Sequence, residues 1–231
     1  MFTENACCIF DYAEDSPAGS ALKDGVISPA ELSAWAADGR EIYVFVSHHH
    51  ADHYSRRIFA WRDAVPAIRY ILSSDVWTGE EAVRMKPGET RQVGRTTVRT
   101  LKSTDVGVAF LVSLDGITLY HAGDLNWWYW DGEPEEDNRR MERRYKEQIH
   151  SLQGERIDVA FLPADPRQED RGLDGMLYFL NTLQPQYALP MHCWENAAWF
   201  ERLRIDPALE PYRSILRVME RRGQQEILYL K

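Results

Sequence analysis

The sequence predicts a mixed α and β fold that contains a sandwich of β-sheets, with several strands ending at the same edge. The apolar run at residues 42–46 has the length and composition of a buried strand, and a histidine-rich segment follows it directly. A second strand pattern at residues 117–121 leads into a Gly-Asp turn, and a third at residues 187–191 leads into a histidine. Three strands thus end in side chains that can bind a metal, which predicts a shared site where their ends converge.

The other elements follow from local patterns. Ser28 followed by Pro29 has the form of a helix start, with the serine as N-cap. Asp115 and Gly116 predict a hairpin turn before the strand at residues 117–121. Further helices are expected at residues 58–65, where Pro66 ends the pattern, and at residues 134–152, 173–183 and 195–203. Further strands are expected at residues 6–12, 68–72, 96–101, 108–114, 157–162 and 227–230. Residues 15–25 are rich in Ser, Gly, Pro and Ala and predict a loop.

The segment after the first of these strands, residues 48–53, carries the pattern H-x-H-x-D-H. Residues two apart at a strand end point the same way, so His48 and His50 can converge on one metal ion. Beyond a turn, Asp52 and His53 can face a second point nearby. Imidazole and carboxylate together suit zinc and other divalent transition metals, so the pattern predicts two adjacent metal sites. The alternative is a polar surface loop that happens to be rich in histidine.

The two later strand ends provide what a two-metal site still needs. Asp124 follows the small residues Ala122 and Gly123, which allow a close approach of the backbone. Its carboxylate has two oxygens and can bridge two metal ions. His192 follows the third strand and can add another imidazole ligand.

These motifs and their order resemble the metallo-β-lactamase superfamily of metal-dependent hydrolases, over residues 9–192. More narrowly, the sequence is similar to the branch near sugar-lactone and phospholipase-type hydrolases. The resemblance implies an α+β fold, a four-layer αββα sandwich of two face-to-face sheets with helices outside. It also implies the roles of the ligands: His48 and His50 bind the first metal, Asp52, His53 and His192 bind the second, and Asp124 bridges.

The resemblance is incomplete at two points. Members usually carry another histidine on a loop between the first motif and the Gly-Asp turn, but residues 102–107 contain none. Simple alignment puts Thr104 or Asp105 in that place. Asp105 is the better ligand because it is anionic at neutral pH, and the alternative is a turn carboxylate that caps local backbone. The family fold also usually opens with a strand before the one that ends here at Asp11, so an opening N-terminal strand is expected to be missing.

Composition bounds the remaining possibilities. A chain of 231 residues with 44% hydrophobic and 27% charged residues predicts one globular domain, residues 1–231. The net charge of −9 disfavours a nucleic-acid partner and leaves a small-molecule substrate as the expected partner. No apolar run approaches the roughly 20 residues of a membrane span. The odd count of three cysteines and the absence of a leader pattern predict a reduced, cytoplasmic chain, with the oligomeric state left open.

Other residues near the motifs have two readings each. His49 is expected to be structural or to support the ligands, and His121 is expected in the core rather than in the site. The aromatic run at residues 127–130 forms either a substrate platform or packing for the next helix. Asp165 can orient a metal-bound histidine and Arg167 can meet an anionic substrate, or both are turn residues.

The function that the resemblance implies is a metal-dependent hydrolase. Two cations would hold a bridging water and lower its pKa for attack on an ester, lactone or phosphoester-type bond. The catalytic residues are then Asp52 and Asp124, with one or two Zn²⁺ ions, or Mn²⁺ or Fe²⁺, as cofactors. The alternatives are a degenerate metal-binding or sensing member with little turnover, and a redox protein built on a two-iron version of the site.

Overall fold

The computed structural model describes residues 1–13 and 26–231, and its strands form two sheets. The first sheet has the order β1 (Ala6–Phe10), β2 (Glu41–Val46), β3 (Arg69–Ser73) and β4 (Val83–Met85), with all pairs parallel. The second has the order β10 (Tyr187–Met191), β9 (Val159–Pro163), β8 (Ile117–His121), β7 (Val108–Leu114), β6 (Thr96–Lys102) and β5 (Thr90–Val93). Its strands pair antiparallel from β5 to β8 and parallel from β8 to β10.

The described part of the chain has four α-helices, which cover the sheets: α1 (Pro29–Ala37), α2 (Glu135–His150), α3 (Asp174–Leu183) and α4 (Ala197–Ile205). The start of α1 is a capping box, as Ser28 Oγ accepts from the Glu31 amide and the Glu31 carboxylate accepts from the Ser28 amide. Short 3-10 helices, Arg56–Asp63, Pro166–Arg171 and Pro207–Tyr212, lie in the connections. In the described ranges, no helix is both long and apolar enough to cross a membrane.

Side chains of each strand alternate between a core shared by the two sheets and a core under the helices. In β2, Tyr43 and Phe45 join the core between the sheets, whereas Val44 packs outward with Leu32 of α1. In β7, Phe110 faces the same inner core, and its neighbours along the strand pack under α2 and α3. Since both faces of both sheets are covered, the layers are helix, sheet, sheet and helix. The predicted α+β, four-layer αββα sandwich is confirmed.

The inner core allows a stability prediction at Phe110. Its ring is fully buried and contacts Phe45 edge-on at 5.4 Å between centroids. Phe110→Ala removes the ring from a close-packed layer, so we expect the free energy of unfolding to fall by about 3–5 kcal/mol. Urea denaturation measures the change. Ile205→Ala, at a position 65% exposed, is the control and should change it by less than about 0.5 kcal/mol.

Most predicted elements are confirmed to within two residues, and the differences have local causes. The helix predicted at residues 58–65 is a 3-10 helix, Arg56–Asp63, and it ends before Pro66. The strand predicted at residues 227–230 is wrong. That segment has no regular secondary structure, and its contacts to the sheet edge run through side chains, such as the Tyr187 hydroxyl that donates to the Tyr229 carbonyl at 3.0 Å. The short strands β4 and β5 were not predicted. The loop predicted at residues 15–25 lies outside the described residues.

Candidate metal centre

The ends of β2, β8 and β10 bring four of the predicted ligands into contact at one edge of the sandwich. The carboxylate of Asp124 lies at their centre. Its Oδ1 atom is 3.2 Å from Nε2 of His53 and 2.9 Å from Nε2 of His192. Its Oδ2 atom is 3.5 Å from Nε2 of His48. One carboxylate therefore has an imidazole on one side and two on the other, the arrangement expected of a bridging ligand.

The other predicted ligands complete groups whose ligand atoms all lie within 4.8 Å of one another. Four such groups share members: His48 with His50 and Asp52; His48 with His53 and Asp124; Asp52 with His53 and His192; His50 with Asp105 and Asp124. All seven predicted metal ligands thus fall in one continuous cluster. Its composition of imidazole and carboxylate suits zinc and related divalent ions.

Two buried atoms in this cluster have no hydrogen-bond partner among the described residues. They are Nε2 of His48 and Oδ1 of Asp124. Nε2 of His53 and Nε2 of His192 both approach Oδ1, but these two ring nitrogens also face each other at 2.9 Å. A buried polar atom without a partner costs about 1–3 kcal/mol, so such atoms call for an explanation. A divalent cation would satisfy both, and the residues present therefore fit a metal.

Two further carboxylates hold the histidine rings so that Nε2 faces the centre. Oδ2 of Asp11 is 2.8 Å from Nδ1 of His53, and Asp11 also accepts from the amide of Ser47 at 2.7 Å. Oδ2 of Asp165 is 3.4 Å from Nδ1 of His192. Carboxylates in this position fix the tautomer and orientation of a ligating histidine. From the sequence, this role was one of two possibilities for Asp165. The role of Asp11 was not predicted, and its only signal in the sequence is its place at the end of β1, the strand that pairs with β2.

The same carboxylates shift the pKa values of the cluster. Burial lowers the pKa of His53, but Asp11 and Asp124 outweigh burial and raise that pKa to about 10. Burial is likewise outweighed at His192, where Asp124 and Asp165 raise the pKa to about 9. Burial dominates at His48 and lowers its pKa. Nε2 of His53 lies 2.9 Å from Nε2 of His192, so these two atoms can hold only one proton between them, and a metal ion must displace that proton to bind.

The loop between β6 and β7 holds the two candidates for the missing histidine. The Thr104 hydroxyl donates to the carbonyl of Asn126 at 2.7 Å and accepts from the amide of Asn126 at 3.0 Å, so local backbone occupies it. Asp105 instead places Oδ2 4.0 Å from Nδ1 of His50, and both side chains are more than a third exposed. These contacts favour Asp105 over Thr104 as the metal ligand, and this assignment stays a prediction.

The remaining residues singled out in the sequence have defined places. His49 contacts Asp75 at 2.8 Å, away from the cluster's centre. His121 is buried and stacks on Phe10 at 4.8 Å, as expected of a core residue, and it also borders the cavity beside the site. Trp128 is buried, and its Nε1 atom donates to the carbonyl of Asp124 at 3.0 Å. At least this part of the aromatic run supports the turn that carries the central carboxylate.

Gly107 allows a test of how the β2 end is held. A Cβ at this position would lie 2.1 Å from the carbonyl oxygen of Ser47, the residue before His48, and the φ of Gly107 is +75°. We expect Gly107→Ala to displace His48 and to lower metal affinity at least about tenfold, measured by calorimetric titration. Gly116→Ala is the matched control, since Gly116 has a φ of +77° but no atom within 4 Å of the added Cβ. Equal affinity in the two variants would show that the contact with Ser47 does not position the ligand.

Comparisons with known proteins agree with the fold. No protein-family model matches the chain, and a search of curated proteins finds no match. The chain is similar to Igni18, a novel metallo hydrolase from the hyperthermophilic archaeon Ignicoccus hospitalis, with 18% identity, 78% of this chain and 76% of that one covered, and a TM-score of 0.53. It is also similar to the metallo-β-lactamase fold protein YhfI from Bacillus subtilis, with 14% identity, 71% and 69% covered, and a TM-score of 0.45.

A further similar structure is CmlA, a diiron β-hydroxylase from Streptomyces venezuelae, with 13% identity, 76% of this chain and 37% of that one covered, and a TM-score of 0.43. The four-layer architecture, together with the similarity to Igni18, shows that this chain has the metallo-β-lactamase fold. The branch near sugar-lactone and phospholipase-type hydrolases stays a prediction.

Proposed function

We propose that this protein is a metal-dependent hydrolase that acts on an ester, lactone or phosphoester-type bond of a small molecule. The observation that carries the proposal is the convergence of three imidazoles on Asp124, with buried ligand atoms of Asp124 and His48 left without hydrogen-bond partners. The proposed unit is the whole chain, residues 1–231, as one domain in the cytoplasm. The three free cysteines support the location.

Each residue of the cluster has a proposed task. The first site would be held by His48, His50 and Asp105, the second by Asp52, His53 and His192, and Asp124 would be shared between them. Divalent ions bound there supply Lewis acidity and lower the pKa of a water molecule towards neutrality.

Asp52 is the residue best placed to move a proton. Its Oδ2 atom lies 3.7 Å from Nε2 of His53, and its side chain is 35% exposed. A carboxylate that is partly open to solvent can accept a proton from the attacking water and release it to bulk. Asp11 and Asp165 hold His53 and His192 in place throughout, because their contacts lie on the far side of each ring.

The site has room for a substrate. The described residues border a cavity of about 1500 Å³ that is lined by Asp52, His53 and His192 among others. A cavity of this size takes a small molecule with room to spare. The net charge of −9 disfavours a long polyanion such as nucleic acid.

The test of the proposal is metal analysis joined to an activity panel. Purified protein loaded with Zn²⁺, Mn²⁺ or Fe²⁺ should hold one or two ions per chain and should hydrolyse a member of a panel of aryl esters, lactones and phosphodiesters. A protein that holds no metal in any of the three would contradict the proposal.

A second candidate function is metal binding or sensing with little turnover. The exposure of His50 and Asp105, and their separation of 4.0 Å, favour a weak first site. One tightly bound ion per chain, with no hydrolysis across the panel at saturating metal, would support this candidate over the hydrolase.

Metal should also stabilise the fold, because the ligands come from strands that are distant in sequence. At a free metal concentration 100 times the dissociation constant, the free energy of unfolding should rise by about 2.7 kcal/mol. Thermal unfolding with and without a chelator measures this. An unchanged transition temperature would show that metal does not bind the folded state preferentially.

A further inference from the structure

We propose that Trp194 is the wall of the substrate site that receives a planar, uncharged group of the substrate, such as an aryl ring beside the bond that is cleaved. The inference rests on the proposed function, since it takes the reacting group to bind beside His192. It gives a role in specificity to a residue outside the ligand set.

Trp194 is close to the proposed second metal site. It follows His192 by two residues, and the two ring centroids are 5.7 Å apart with the planes at 85°. Trp194 also lines the cavity of about 1500 Å³ that includes Asp52 and His53. A molecule that reaches the ligands of the second site from this cavity is therefore within reach of the indole.

The indole is held in place by contacts and by an unusual backbone. The φ angles of His192, Trp194 and Glu195 are +62°, +53° and +51°, in the left-handed region that residues other than glycine rarely adopt. Non-glycine residues in this region cluster at functional sites and persist only where their surroundings hold them. Here Nε1 of Trp194 donates to Oδ2 of Asp165 at 3.2 Å, and Asp165 is fully buried.

Arg167 decides which kind of group the indole can accept. Its guanidinium pairs with both oxygens of Asp165 at 2.6–3.0 Å and lies 4.5 Å from the ring centroid of Trp194. A cation on one face of an indole is attracted by the negative potential of the ring, and its own charge disfavours a second cation nearby. Trp194 remains 49% exposed as a residue, so part of its surface stays open to solvent beside the ligands. These features fit a planar, uncharged group that stacks on the ring or packs against its edge.

The test uses two thiols that bind zinc directly and differ in one ring. Thiolate sulfur is a good zinc ligand, so benzyl mercaptan and ethanethiol are probes whose binding does not depend on turnover. The full chain is loaded with zinc, and both affinities are measured by calorimetry without oxygen. We expect benzyl mercaptan to bind about tenfold more tightly than ethanethiol. Trp194→Ala should abolish this preference and leave ethanethiol affinity unchanged, whereas Trp194→Phe should retain most of the preference.

Trp77→Ala is the matched control. Trp77 is 80% exposed and also lies beside an arginine, with Arg84 4.7 Å from its ring centroid, but it belongs to the loop between β3 and β4. That variant should keep the parent's preference. The proposal is overturned if the parent binds both thiols equally, or if Trp194→Ala keeps the preference for benzyl mercaptan. It is also overturned if Trp194→Ala loses both thiols, since Trp194 would then only support His192. Binding of neither thiol to the parent would instead contradict the metal centre and the proposed function itself.

Discussion

Asp124→Ala is expected to remove metal binding and any hydrolysis while leaving the fold largely intact. The carboxylate of Asp124 contacts three imidazoles, and it belongs both to the group of His48 and His53 and to the group of His50 and Asp105. As a bridge it would hold two cations that otherwise repel each other. Loss of a supporting residue already costs about 10–100-fold in metal affinity, so loss of the shared ligand should cost more than about 100-fold.

Elemental analysis of the purified variant measures its metal content, and circular dichroism reports whether the sheets are retained. Asp170→Ala is the control for loss of an aspartate, because the Asp170 side chain is 99% exposed and pairs only across 3.7 Å with Arg202. That variant should keep the parent's metal content. Normal metal content in Asp124→Ala would show that Asp124 is not a ligand.

The cluster's membership could be predicted from the sequence because strand ends carry most of it. His48, Asp124 and His192 each come within three residues of the end of a regular strand, and those strands end at the same edge of the sandwich. A strand pattern depends only on neighbouring residues, so it can be recognised in a single sequence. The burial of β2 could be predicted in the same way, because its apolar run is continuous and such a run is typical of a strand covered on both faces.

Other parts of the site depend on contacts between residues that are distant in sequence. Asp11 reaches His53 across 42 positions, and no local pattern marks a carboxylate that will orient a particular histidine. The same is true of Trp194, whose orientation depends on Asp165, 29 positions away. The strand predicted at residues 227–230 failed for a related reason. An apolar run shows that a segment is buried, as Leu228 and Leu230 partly are, but not whether its backbone joins a sheet.

The second large effect is expected at Asp105, where the sequence departs from the resemblance. If Asp105 replaces the usual histidine, the first site has two imidazoles and carboxylates around it. Oxygen ligands shift preference away from zinc and towards manganese or ferrous iron. The first site should then bind zinc more weakly than the second, and added Mn²⁺ should raise activity. The separation of 4.0 Å between Asp105 and His50 leaves room for an ion between them.

Two substitutions should move the first site in opposite directions. Asp105→His restores a nitrogen ligand and should tighten zinc at least about tenfold, whereas Asp105→Asn removes the charge at nearly constant shape and should weaken zinc by a similar factor. Calorimetric titration of each variant resolves the two sites. Thr104→Val tests the alternative ligand, because it removes a hydroxyl that bonds to Asn126 and to the carbonyl of Asp124; we expect it to lower stability and to keep the metal content. If Thr104→Val loses metal while both Asp105 variants retain the parent's affinity, Thr104 is the ligand and Asp105 is a turn carboxylate.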